Sequence, residues 1–258
     1  MNPKKHRQIV KRVFLVLFLL LLLIFAALLE YGRPHKRKGL EIPSPGEVVI
    51  EDPSESEDPL GSTSDFAFPE YEGIAFVSMG TPDFSEEEIA RGESSFIELQ
   101  ELDELGRCGP FLGSVSKDTF ATTERGSIAG VKPSGWHTVR YDDLIEDKYL
   151  YNRCHLGAYS ISSLLDDNRN LITGTRYMNV EGMLPNELEV IYYIERSGNH
   201  VLYRVTPVFK DDELVARGVL MEAYSIEDDG ELSFSVYCFN VQPGIEIDYA
   251  TGESRRKE

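Results

Sequence analysis

The stretch VFLVLFLLLLLIFAALL, Val13 to Leu29, constrains this chain more than any other, because a soluble helix does not need apolar side chains around its whole circumference. It reaches the short end of the roughly 17 to 25 residues that cross a bilayer. It also exceeds the roughly 7 to 15 apolar residues of a signal-peptide core. Lys4, Lys5, Arg7, Lys11 and Arg12 precede it, and Arg33, Lys36, Arg37 and Lys38 follow. Positive charge on both sides orients the span weakly. The short basic N-terminus before a large polar domain favours residues 1–12 inside and the domain outside. The expectation is a single-pass signal anchor over 13–29; a cleaved signal peptide that releases a secreted domain is the alternative.

Charge divides at the same place. The first forty residues hold nine of the 26 Lys and Arg and one of the 44 Asp and Glu, which leaves the remainder at a formal −26. At long range so acidic a domain repels polyanions, and a nucleic acid could approach only a local basic patch. Residues 30–72, with EIPSPGEVVIEDPSESEDPLGSTSDF, are rich in Pro, Ser, Glu and Asp and lack apolar periodicity. They read as an extended, self-repelling tether.

The ordered domain is expected over 73–258. GIAFVSM reads as a strand, SEEEIARG as a short helix capped by Ser85, and SFIELQEL as a strand or extended edge. Gly106 to Gly135 is rich in turn residues. GWHTVRYD and KYLYNRCHL are β-rich runs separated by an acidic turn, and antiparallel pairing of the two is the simplest arrangement, with His155 at the far end of the second. A short helix is expected over Ser160–Leu165, an extended run over 170–177, and a helix over Met183–Glu195 with Pro185 in its first turn. HVLYRVTPVF, LVARGVLMEAYSI and LSFSVYCFNV follow as strands, the last two joined by the DDG turn. The sum is an α+β domain, a mixed, mainly antiparallel sheet with helices inserted between strands.

Several chemistries lack their parts. There is no G-x-S-x-G, no H-E-x-x-H and no P-loop. SVSK at Ser114 and KPSG at Lys132 lie too close together for a penicillin-recognising site, and the proline breaks the second word. Cys108, Cys154 and Cys238 are too few for a disulfide scaffold and too widely spaced for a zinc site. One disulfide with one free thiol, or three thiols, are both open.

Of five histidines, His6 and His35 flank the apolar run, leaving His137, His155 and His200. His155, in YNRCHL, is followed by Asn170, Asn179 and Glu187. Such oxygen donors suit Mg²⁺, a hard ion that takes few protein ligands. A neutral imidazole nearby can accept a proton from water.

N-R-C-H-L followed by N-L-I-T-G-T-R-Y-M-N-V-E-G-M-L-P resembles the DNA/RNA non-specific endonuclease family with a ββα-metal (His-Me finger) site, particularly its Gram-positive DNA-entry branch. The similarity runs from about Leu105 through PSGWHTVRYD and HVLYRVTPVF to VQPGIEIDYATGES. It implies a Mg²⁺-dependent endonuclease, with Mn²⁺ as a substitute, cutting DNA and, as a second option, RNA to 5′-phosphate products. On the matching positions His155 would be the general base and Asn179 the metal ligand. Asn170 would lie near both, and Glu187 would orient water at the metal. Asn152 and Cys154 depart from D-R-G-H but replace neither base nor ligand. Arg140, Arg153 and Arg176 are the candidate substrate contacts, with surface or structural pairing as their alternative. Cys154 beside His155 invites a cysteine-nucleophile reading, but strand neighbours point to opposite faces. The rival function is an inactive membrane-tethered binding module on the same fold.

Overall fold

The computed structural model describes residues 50–51 and 66–258, and Pro45–Glu258 forms a compact unit by itself. The apolar run 13–29, the basic segment 1–12 and most of the tether lie outside the described residues. Among the described residues, no helix is long and apolar enough to cross a membrane.

Seven strands form the main sheet in the order β1-β3-β4-β7-β8-β9-β2. They are β1 (Ile50–Glu51), β2 (Phe76–Gly80), β3 (Phe96–Leu99), β4 (Phe111–Val115), β7 (Val201–Val208), β8 (Gly218–Ser225) and β9 (Ser233–Phe239). Every pairing is antiparallel except β1 with β3. Helix α1 (Glu86–Arg91) begins at Ser85, whose side chain and the Glu88 carboxylate form a reciprocal capping box. A second layer holds β5 (Tyr151–His155), α2 (Tyr159–Ser162), β6 (Leu171–Thr175) and α3 (Leu184–Ser197). β10 (Ile245–Ile247) and β11 (Ser254–Arg256) close the chain as a separate hairpin.

The central strands are covered on both faces, so all eight residues of β7 are buried. Tyr203 and Val205 of β7, with Val219 and Met221 of β8, share a core with Leu156, Met178, Met183, Val190 and Ile194 of the second layer. On the other face Val208, Leu220, Tyr237 and Phe239 pack with Phe66 and Tyr71. Packing therefore starts before Gly73, because these two aromatics bury against β9. Pro207 is tolerated in β7 because β4 pairs only with Val201–Val205, so the missing N–H interrupts no ladder bond to that neighbour. Asp229 and Gly230 take positive φ values of 55° and 87° within the 226–232 connection that joins β8 to β9.

Two sequence expectations fail here for identifiable reasons. The turn-rich 106–135 passage contains β4, an interior strand whose Gly113 and Ser114 interrupt the apolar pattern that would have marked it. GWHTVRYD is not the strand partner of KYLYNRCHL: only a single bridge, Arg140 with Tyr149, joins them. β5 pairs instead with β6 along its full length, from Tyr151 opposite Thr175 to His155 opposite Leu171. Trp136, Val139 and Tyr141 turn into a small cluster with Ile145, Leu150, Tyr151 and Ile245.

A charged pair is buried in the sheet. Arg204 and Glu222 lie opposite each other on β7 and β8, 4% and 3% exposed. Arg204 Nε donates to Glu222 Oε2 at 2.9 Å, one Nη to Glu88 Oε1 at 2.9 Å, and the other Nη to the Asp83 carbonyl. Glu222 Oε1 accepts from the Asp83 amide at 2.8 Å. The Arg204–Glu222 bond joins β7 to β8, and the other three tie the α1 approach to the sheet. Glu222→Ala is expected to destabilise the domain by about 3 kcal/mol, since it leaves Arg204 buried beside an empty space. Urea denaturation at neutral pH measures this, and a loss under about 1 kcal/mol would show that the pair is not a buried anchor.

Candidate active site

Strands β5 and β6 form a two-stranded ribbon that leads into a π-helical turn, Met178–Met183, and then α3. The ribbon places Arg153 and His155 on one side of β5 and Cys154 on the other. Cys154 is fully buried in the core, and desolvation pushes its thiol far above the usual cysteine range. It cannot serve as a thiolate beside His155.

His155, Asn179 and Glu187 line one cleft of about 1100 Å³. His155 is 7% exposed. Its Nε2 lies 2.7 Å from the Leu165 carbonyl oxygen, which can only accept, so Nε2 carries the proton. The Nδ1 lone pair is then the basic site, and Arg125 Nη2 donates to it at 3.3 Å. Burial pulls the imidazole pKa below the usual histidine value, the Leu165 bond opposes that, and the Arg125 charge adds to it. His155 is therefore neutral at pH 7, the form a base requires.

Asn170 is brought near this strand end but not into the cleft. It is fully buried; its Oδ1 accepts from the Gly157 amide at 2.8 Å and its Nδ2 donates to the Gly157 carbonyl at 2.9 Å. With one bond from each end of its amide to Gly157, it fixes the chain just after His155, buried and outside the cleft lining. Gly157 is needed because a Cβ there would stand 2.2 Å from the Phe111 ring.

Asn179 sits in the π turn, and such insertions frequently occur at functional sites. Its amide and the Glu187 carboxylate are half-buried and make no side-chain hydrogen bond or ion pair with any described residue. Desolvation pushes the Glu187 carboxyl up to about 7, against the opposing charge of Arg125. Two oxygen donors without internal partners thus share the histidine cleft. Among the described residues there is no cluster of three His, Cys, Asp or Glu. This sparse, oxygen-only set fits a hard divalent cation that keeps most of its water, and does not fit a structural zinc.

The arginines separate into two groups. Among the described residues, every arginine but two is ion-paired to a carboxylate. The exceptions, Arg125 and Arg153, both line the cleft at His155. Arg153 lies over the Trp136 ring at 4.0 Å and donates to the carbonyls of Ala129, at 2.9 Å, and Val131. It braces the 129–136 loop while its charge stays at the cleft. Arg176 lines the cleft but pairs with Asp147 at 2.5 Å. Arg140 is not among the cleft-lining residues; it is held by Asp142 through two bonds of 3.1 Å. Arg125 escaped sequence reasoning because TTERGS matches no motif and lies thirty positions before His155.

The pairing makes a titration prediction. By NMR, His155 titrates below the ordinary histidine value, and Arg125→Ala raises it, because removing a cation favours imidazolium. An unchanged His155 titration in that variant would show that the guanidinium does not face the ring.

Comparison with known proteins bears on the same region. The sequence profile of the DNA/RNA non-specific endonuclease family matches residues 90–227. A deoxyribonuclease of Streptococcus dysgalactiae subsp. equisimilis is 33% identical over 111 residues, covering 41% of this chain and 33% of the relative. The chain thus matches about a third of that protein's length. Sda1 nuclease with bound zinc ion superposes with a TM-score of 0.61 at 26% identity, covering 72% of this chain and 98% of that one. NucA from Streptococcus agalactiae with magnesium ion bound shares the fold, with a TM-score of 0.58 at 24% identity over 64% of this chain and 80% of that one.

Proposed function

We propose that this chain, which belongs to the DNA/RNA non-specific endonuclease family, hydrolyses phosphodiester bonds of DNA with His155 as general base and Asn179 holding a divalent cation. The observation that carries the reading is the convergence of a neutral, tautomer-defined imidazole with the only two described arginines that lack carboxylate partners. An inert binding module has no use for a lone pair held in that way. RNA presents the same phosphodiester and is the second substrate to test. Placement outside the cell, on a span over 13–29 or after release from it, completes the proposal.

His155 Nδ1 accepts a proton from the attacking water, and the Nε2–H bond to Leu165 keeps the ring aimed as charge develops on it. Arg125 must first leave Nδ1, and the phosphate oxygens give its guanidinium a better acceptor than a neutral nitrogen. Arg153 adds positive potential at the same wall. Glu187, half-buried without a partner, takes a hydrogen bond from water beside Asn179. Mg²⁺, or Mn²⁺ in its place, would supply charge neutralisation at the phosphate and the leaving oxygen. Contacts of this kind address phosphate and not base edges, so they carry no sequence preference.

Cleavage of plasmid DNA and of RNA by the full-length chain tests this, with Mg²⁺ and with chelator. His155→Ala is expected to lower turnover by roughly 10² to 10⁴. Asn179→Ala is expected to raise the Mg²⁺ concentration needed for half-maximal activity. Undiminished turnover in a folded His155→Ala protein removes the base, and an unchanged metal titration in Asn179→Ala places the ligand elsewhere.

A further inference from the structure

The cleft extends past the catalytic group to a rim where the chemistry changes. Of the large hydrophobic side chains left exposed among the described residues, only Tyr149 and Leu184 line this cleft, and Tyr149 is 45% exposed. Its hydroxyl makes no hydrogen bond to any described residue. The other aromatic rings of the wall are less open: Tyr151 is buried, Trp136 is half-buried under Arg153, Phe120 is half-buried against the core, and Tyr159 is half-buried with its hydroxyl bonded to Thr123 at 2.8 Å. Tyr149 is the one aromatic side chain of the cleft lining, among the described residues, that is exposed.

Its support is fixed. Arg140 lies over the ring, 5.3 Å from the centroid, and the Asp142 carboxylate holds the Arg140 fork through two bonds of 3.1 Å. Arg140 and Tyr149 also face each other across the only bridge between their two segments. The ring is thereby pre-organised before anything binds.

The guanidinium groups at this rim are not free for phosphate, and the exposed Lys148 next to Tyr149 in sequence is not among the cleft-lining residues. Both nearby arginines are neutralised, Arg140 by Asp142 and Arg176 by Asp147. Of the cleft-lining residues, the cations without carboxylate partners, Arg125 and Arg153, sit at His155. Phosphate recognition belongs there, and a flat, uncharged group belongs at Tyr149.

Resting on the nuclease reading of this cleft, we infer that Tyr149 is a stacking platform for an unpaired nucleobase of the bound strand, and that single-stranded or locally melted DNA is the favoured substrate. Every base has a π-face, so stacking adds affinity without sequence preference. A base in duplex is already stacked and paired, and reaching the platform requires taking it out of the helix.

Two measurements test this on the full-length chain. With Mg²⁺, Tyr149→Ala is expected to lower kcat/KM on a single-stranded oligodeoxynucleotide about tenfold, mainly through KM, and to change it less than about twofold on the duplex of the same sequence. Tyr149→Phe, which keeps the ring, retains wild-type behaviour. Equal losses on both substrates, or no loss on either, overturn the proposal while leaving the nuclease intact. In chelator, a single-stranded probe carrying 2-aminopurine should lose fluorescence on binding wild type and the Phe variant but not the Ala variant. No quenching by wild type also overturns the platform. Tyr149-dependent quenching by a protein that cleaves nothing would keep the platform and remove the nuclease reading.

Discussion

The site depends on the hydrogen bond from His155 Nε2–H to the Leu165 carbonyl. That bond decides which nitrogen keeps its lone pair, and burial keeps the ring neutral so that the lone pair exists at pH 7. Its geometry is held from both sides. The ladder with β6 sets the end of β5, and Asn170 grips Gly157 immediately beyond it. Beneath both lies the face of the main sheet built by Tyr203, Val205, Val219 and Met221, against which Leu156 and the π turn pack. The base is thus carried by a strand packed on the main sheet rather than by a loop, which suits a group that must meet a reacting atom within a fraction of an ångström.

An acidic domain that handles a polyanion has a charge conflict, and the arginine pairings show how it is resolved. Carboxylates neutralise the guanidinium groups over the rest of the described surface, while Arg125 and Arg153 are kept for the cleft. What matters to an approaching phosphate within a Debye length, about 8 to 10 Å in ordinary salt, is that local pair and not the formal −26. The same Arg125 charge holds down the His155 pKa and opposes the rise at Glu187, so one side chain tunes both groups that face it.

Much of this was legible in the sequence. The strand ending at His155, the strands β7 to β9 and the Ser85 cap follow from apolar alternation, β-branched content and a capping box, all of which are local signals. The joined His and Asn words identified the family because they constrain two elements at once. Non-local choices were not legible. β5 pairs with β6, while Trp136, Val139 and Tyr141 of the 135–142 segment pack as side chains on Ile145, Leu150, Tyr151 and Ile245, and no pattern within either stretch encodes that choice. Asn170 has the right residue type for a site, yet it is buried outside the cleft lining with its amide bonded to Gly157. Arg140 looked like a substrate cation until its Asp142 and Tyr149 partners were placed. Arg125 became visible only when the fold set it against His155.

The most direct measurement is plasmid cleavage by His155→Gly with imidazole added in solution. If Nδ1 of His155 is the base, this folded variant is inactive in buffer and regains cleavage as imidazole is added, in proportion to its neutral fraction across pH. Full activity without imidazole, or none with it in a variant that still binds DNA, would contradict the account.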